Sequence, residues 1–359
     1  MLDALQTDPV AFTITGVHLR IAAIILFTLA VVGFFYGRRY RTEGESPLDI
    51  PDAWFGALIA LGMAIVALAA DRLLLPEGEG FPIFWYGILI TLGIAIGAWW
   101  AGREIERRGG DVDTFYNGLL LVIIAGYIFA RLWYVLQEVI AGRGAEYETF
   151  IDIINIRAGG ANILGGFIGA ALVAAWYIRR KRLNFWKYAD VAGPALLIAQ
   201  AIGRWGNFIN QELYGPPTEQ PWGILIDPAN RIPPFNNLSL YPADTRFHPT
   251  FLYESIWLFV GFFLLVYLNH RFRERWKDGT LFGLFLIWWG GGRAWIELFR
   301  PDQPAFGESF VTYSMVIALL IALAGVLVLL YRYDKLPESG RERRRRRRRL
   351  RKPKPNRSE

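Results

Sequence analysis

Apolar runs of about twenty residues recur along most of this chain, and they restrict its folding more than any other feature. A membrane-spanning helix needs roughly 20 consecutive, mainly apolar residues. Runs of that kind occupy 16–36, 52–74, 84–101, 115–137, 158–178, 188–205, 249–269, 279–298 and 309–332. The expected fold class is therefore an all-α polytopic membrane protein with about nine transmembrane helices. Hydrophobic residues make up 53% of the chain and the mean hydropathy is +0.27, which excludes an ordinary soluble domain. The first run follows Asp3 and Asp8, with no Lys or Arg before Arg20. That is the wrong flank for a cleaved signal peptide, so the run is read as a retained helix.

Orientation follows from Lys and Arg, which concentrate in cytoplasmic links. The links 37–51 (Arg38, Arg39, Arg41), 102–114 (Arg103, Arg107, Arg108), 179–187 (Arg179, Arg180, Lys181, Arg182, Lys187) and 270–278 (Arg271, Arg273, Arg275, Lys277) are basic. The alternate links 75–83, 138–157 and 206–248 are poor in cations. This places the N-terminus outside the cytoplasm and the C-terminus inside. Segment 206–248 carries Pro216, Pro217, Pro221, Pro228, Pro233, Pro234 and Pro242, a density that opposes long helix and favours a small irregular extracytoplasmic head. Residues 333–359 hold the unbroken run Arg343 to Arg349 and contribute much of the net charge of +7. They are read as a disordered basic cytoplasmic tail drawn to anionic lipid headgroups, not as a nucleic-acid site. The chain has no Cys, which rules out a thiol nucleophile of its own and stabilising disulfides. Any thiol chemistry has to come from a substrate.

Two clusters carry candidate chemistry. Residues 203–215 read Gly-Arg-Trp-Gly-Asn-Phe-Ile-Asn-Gln-Glu-Leu-Tyr-Gly, placing Arg204, Asn207, Asn210 and Glu212 at the exit of an apolar run, with Gly215 permitting a turn. The second, 290–302, sets Arg293, Glu297 and Arg300 at spacings of four and three on one helix face. Ionisable groups at membrane depth are costly, and their default reading is functional. Arginine suits a phosphate because its planar fork reaches two oxygens and stays charged when partly buried. Arg204, Arg293 and Arg300 against Glu212 and Glu297 leave one formal positive charge, opposite to a phosphodiester. The structural alternative for the second cluster is an ion-pair ladder between helices. Gly165 and Gly169 have the spacing of close helix packing.

The run 203–215 resembles the signature of the bacterial prolipoprotein diacylglyceryl transferase family, and the resemblance covers roughly 82–332. It implies a seven-helix transferase core (81–332) in the bacterial cytoplasmic (inner) membrane, with residues 1–80 as an added N-terminal two-helix extension. The implied reaction is attack by a lipobox cysteine thiolate of a prolipoprotein on the glyceryl carbon of phosphatidylglycerol, forming a thioether and releasing glycerol 1-phosphate, with no cofactor and no metal. Arg204, Arg293, Glu212, Glu297 and Tyr86 are the implied catalytic residues. Arg204, Asn207, Asn210, Gly215, Arg300, Arg131 and His248 are the implied substrate-binding set, and Tyr134, Asp190, Gln200, Tyr253 and Glu254 also match. Two positions depart from the family. Leu164 precedes Gly165-Gly166 where many members have His and others an aromatic residue; if that His is the general base, Glu212, Glu297, Tyr86 or a bound water would have to accept the proton here. Trp289 stands where Tyr is expected. The rival readings are a lipid transporter or scramblase, and a catalytically impaired phospholipid-binding scaffold.

Overall fold

The computed structural model describes residues 10–14, 81–147, 149, 152–153, 160–301, 303, 306 and 309–333. The expected spans 16–36 and 52–74 and the tail from 334 lie outside these residues. Two compact units divide at Leu89 and Ile90. In the first, strands β1 (Val10–Ile14) and β2 (Phe81–Phe84) pair antiparallel, Ile14 opposite Phe81 and Val10 opposite Phe84, with a register shift between Val10 and Phe12. This pair and a second one in the head qualify the all-α expectation.

Seven long helices follow among the described residues: α1 (Trp85–Arg107), α2 (Val112–Glu138), α3 (Ile163–Arg180), α4 (Phe185–Ile209), α5 (Thr250–Phe272), α6 (Thr280–Ile296) and α7 (Tyr313–Arg332). Each falls on an expected span. Five are long and apolar enough to cross a membrane, namely α1, α2 with its extension to Glu146, α3, α5 and α7. The other two differ for local reasons: α6 has 17 residues, and α4 is too polar along its length, with Gln200, Arg204 and Asn207 adding to Lys187 and Asp190.

Side-chain caps set several helix starts. Asp111 accepts from Thr114 N at 3.0 Å, Asn162 from Leu164 N at 2.8 Å, Asn184 from Trp186 N at 3.1 Å and Thr312 from Met315 N at 3.0 Å. Each satisfies an N–H that has no intrahelical partner. The outward faces of α2, α3 and α7 leave large apolar residues such as Leu120, Leu172 and Leu320 exposed, as a lipid-facing surface requires. On the inward side the α2–α3 contact is tight at Gly165 and Gly169. A Cβ at Gly165 would lie 2.2 Å from Trp133 Cβ, and one at Gly169 would lie 2.3 Å from Phe129 Cβ.

The centre of the bundle is α4, packed on α5 and α6. Its middle contributes Leu197, Ile198 and Ala201 to an apolar layer completed by Leu258, Phe262 and Leu265 of α5 and Leu281 and Phe285 of α6. Near its N-terminal end a buried polar knot ties four helices. Asp190 accepts from Gly279 N at 2.9 Å, Phe282 N at 2.8 Å and Arg108 Nη1 at 3.2 Å. Arg108 also donates to Glu104 at 2.9 Å and to Asn269 at 2.8 Å, and Asn269 donates to Glu104 at 2.9 Å. Asp190 thus caps α6 while neutralising a guanidinium at the end of α1.

The head is built around Phe208, Tyr214, Ile224, Ile226, Phe235, Phe247 and Phe251. Strands β3 (Ile224–Leu225) and β4 (Arg246–Phe247) pair antiparallel, and Pro217 bridges to Phe247. Irregular backbone leaves carbonyls that need donors, and buried Arg231 supplies them to Ile226, Tyr241, Pro242 and Ala243 at 2.6–3.0 Å. Removing one partner of a buried ion pair costs roughly 3–5 kcal/mol. Asp190→Ala should therefore sharply lower the thermal unfolding temperature in detergent, whereas a substitution at lipid-facing Leu172 should leave it unchanged.

Candidate active site

Three segments bring the two charged clusters of the sequence together: the last turn of α4, the first turn of α5, and the end of α6 with the short 3-10 turn Glu297–Phe299 that follows it. Arg204 Nη2 donates to Glu254 Oε1 at 2.5 Å across α4 and α5. Its Nη1 donates to Asn207 Oδ1 at 3.3 Å, the three-residue neighbour expected on the same face. The Asn207 amide in turn donates to Glu212 Oε1 at 2.7 Å, and Asn210 reaches the same oxygen at 3.4 Å. Arg293 forms an ion pair with Glu297 one turn on, and Thr312 of the α7 cap donates to Glu297 Oε2 at 2.9 Å. Arg293 also feels the charges of Glu254, Arg300 and Arg204, so the three arginines share one electrostatic environment. Asn207, Glu254, Glu297 and Arg300 are all buried.

Arg204 uses two of its five donors. Arg293 Nη1 is buried with no hydrogen-bond partner. A buried charged donor left without an acceptor is costly, and such a group in a folded protein calls for a ligand or a water. The cluster contains three arginines and, with Glu254, three carboxylates. The single surplus positive charge counted without Glu254 is thus corrected to formal neutrality. A phosphate entering here competes with Glu254 and Glu297 for guanidinium donors.

Gly215 joins the head to the helix ends. Its N–H donates to the His248 carbonyl at 2.9 Å, and a Cβ there would lie 2.8 Å from both His248 Cβ and Thr250 Oγ1 and 3.1 Å from the Phe299 carbonyl. His248 Nδ1 lies 2.9 Å from the Tyr253 hydroxyl, which also accepts Trp222 Nε1–H at 2.7 Å. Burial pushes the His248 imidazole below its ordinary value.

The remaining expected residues are placed differently. Arg131 donates to the carbonyls of Ile153, Gly160 and Asp152 at 2.7–2.9 Å, so it ties α2 to the residues that precede α3. Tyr86 lies in the first turn of α1, in the unit that ends at Leu89. Leu164 is exposed in the first turn of α3. Trp289 donates its indole N–H to Gln200 Oε1 at 2.9 Å, linking α6 to α4 with a donor that Tyr would supply through its hydroxyl. The residue missed as a direct partner in the charged clusters is Glu254. Its signal is a carboxylate inside an apolar span, the same criterion that singled out the arginines.

Fold and site together define a helical, multi-pass membrane protein that holds paired guanidinium and carboxylate groups at one end of its bundle. The family model of prolipoprotein diacylglyceryl transferase matches residues 73–331, and the chain belongs to that family. A phosphatidylglycerol–prolipoprotein diacylglyceryl transferase of Chloroflexus aggregans is 40% identical over 301 residues, 79% of this chain and 86% of that protein. Enzymes with the same name from Halalkalibacterium halodurans and Bacillus cereus are 41% identical over 217 residues (60% of this chain, 70% of theirs) and 39% identical over 206 residues (56% and 72%). Overpacking at a tight site costs about 1–3 kcal/mol. Gly215→Ala should therefore displace His248 or the Phe299 carbonyl, lowering both the unfolding temperature and catalytic turnover, as read by thermal melts and product formation.

Proposed function

We infer that this chain transfers the diacylglyceryl group of phosphatidylglycerol to the lipobox cysteine thiol of a prolipoprotein, forming a thioether and releasing glycerol 1-phosphate. Membership of the family carries the reaction class. The observation that carries the assignment of this site is the buried, unpartnered Arg293 Nη1 beside Arg204. The reaction displaces a phosphate oxygen from saturated carbon, so the main electrostatic task is to stabilise charge on the departing phosphate with donors already in place. Arg204 and Arg293 fill that role, with Arg300 adding positive potential. Asn207 bridges Arg204 to Glu212 and holds the guanidinium at a fixed angle. Glu254 and Glu297 orient Arg204 and Arg293 and keep them soluble in a low-dielectric setting until a headgroup arrives.

In this reading the chain sits in the bacterial inner membrane with about nine spans, two of them N-terminal to the seven-helix core. Its N-terminus and head are extracytoplasmic, and its basic tail lies against anionic headgroups on the cytoplasmic side. Phosphatidylglycerol reaches the arginines laterally from the outer leaflet, and the signal peptide presents its cysteine at the same depth. A transporter would need a polar path through the bundle. The layer of Leu197, Ile198, Ala201, Leu258, Phe262, Leu265, Leu281 and Phe285 between the site and the Asp190 knot favours an enzyme working at one face.

Loss of one preorganised donor to developing negative charge costs about 10²–10³ in kcat. Arg293→Ala and Arg204→Ala should each lower thioether formation by at least that factor while the protein still melts cooperatively. Arg204→Lys should also fail, because a point charge cannot reproduce the planar fork. Lipidation of a lipobox peptide followed by mass spectrometry checks all three, and wild-type activity in any of them removes that arginine from the mechanism.

A further inference from the structure

The transfer takes one proton from a thiol, and each carboxylate of the arginine cluster already serves a structural partner through at least one of its oxygens. Glu254 holds Arg204, Glu212 accepts from Asn207 and Asn210, and Glu297 holds Arg293 and Thr312. Leu164 has no group that can take a proton. One titratable pair at this end of the bundle stands outside that network. His248 follows β4, and Tyr253 lies in the first turn of α5, next in the chain to Glu254. The His248 carbonyl is held by the N–H groups of Gly215 and Thr250, each at 2.9 Å. The Phe299 ring closes on both partners, with centroids 5.3 Å from His248 and 5.5 Å from Tyr253. Trp222 donates into the Tyr253 oxygen, and the same hydroxyl lies 2.9 Å from His248 Nδ1. Tyr253 also lines an apolar groove of about 270 Å³ between α5 and α6, with Ile256, Trp257, Val260, Trp288 and Trp295.

We propose that Tyr253 is the residue that takes the proton of the substrate thiol, handing its own proton to His248. This rests on the transferase reading above and names the acceptor that reading lacks. As the S–H proton moves to the Tyr253 oxygen, the phenolic proton passes to His248 Nδ1 and the imidazole becomes an imidazolium. The thiolate forms the C–S bond at the glyceryl carbon, and the C–O bond to phosphate breaks with its electron pair on glycerol phosphate. The imidazolium then returns its proton through Tyr253 to that phosphate or to water. The groups facing His248 are Tyr253 from α5 and Phe299 from the turn after α6, with Glu297 two positions before that ring and Arg300 next after it. Burial alone lowers the imidazole, which favours its neutral, proton-accepting form.

His248→Asn separates chemistry from support, since the Asn oxygen keeps an acceptor beside Tyr253 but cannot take the proton. Tyr253→Phe removes the hydroxyl. Both are compared with the wild-type protein in detergent–lipid micelles containing phosphatidylglycerol and a lipobox peptide, across pH 5.5–9.5. Wild-type kcat should rise and level off near or below about pH 6.5, the ordinary imidazole value. Proton transfer by a placed side chain contributes typically 10²–10⁴-fold, so each variant should be slower at pH 7 by about 100-fold, with KM for phosphatidylglycerol unchanged. The deficit should shrink as pH rises through about 8.5, where the thiol ionises unaided. Wild-type rates in either variant, or an equal loss at every pH, overturns the proposal. A wild-type protein that makes no thioether overturns the transferase reading and this inference with it.

Discussion

Charged side chains in this protein survive in an apolar bundle because Arg108, Arg204 and Arg293 are each brought against a carboxylate from another turn or another helix, and Arg131 against backbone carbonyls. An isolated charge in such surroundings is costly, and pairing is the condition for keeping it. The condition is met at both ends of α4. At one end Asp190 and Glu104 hold Arg108, and at the other Glu254 holds Arg204. The rise of an α-helix separates Asp190 from Asn207 by about 25 Å, close to the thickness of a hydrocarbon core, and the stretch between them packs Leu197, Ile198 and Ala201 against α5 and α6.

The two ends differ in how completely their donors are used. In the Asp190 knot the carboxylate accepts two backbone N–H groups and Arg108, and Arg108 has three further side-chain and carboxylate contacts in Glu104, Asn269 and Asp278. That is a structural solution, in which every strong partner is satisfied. At the Arg204 end, Arg293 retains a buried N–H group with no acceptor. A site that must grip and release a phosphate has to keep donors in reserve, and it is less stable by the same measure.

The head adds what the helices lack. Its irregular backbone is held by Arg231 from within, so its loops keep one shape without long strands. Through Gly215, His248 and Phe299 that shape is transmitted to the mouth of the bundle, where the Tyr253 hydroxyl is set between Trp222 and His248. In the proposed mechanism, orientation of Arg204 and handling of the thiol proton fall to neighbouring residues of one helix start, Glu254 and Tyr253.

Helix positions were readable in the amino-acid order because lipid imposes a length and a composition on each span. All seven described helices fall where apolar runs were found, and the arginines declared themselves by being charged where charge is costly. The strand pair of Val10–Ile14 with Phe81–Phe84 was not readable, since it joins segments about seventy positions apart with no local pattern linking them. Pairing was equally hidden. Arg131 and Arg204 are both arginines in apolar helices, yet one meets three backbone carbonyls and the other a carboxylate and an amide. Residue type and spacing determine that a charge must find a partner. Only the packing of α4, α5 and α6 decides which partner it finds, because hydrogen bonds act over about 3 Å and the residues concerned are separated by tens of positions in the chain.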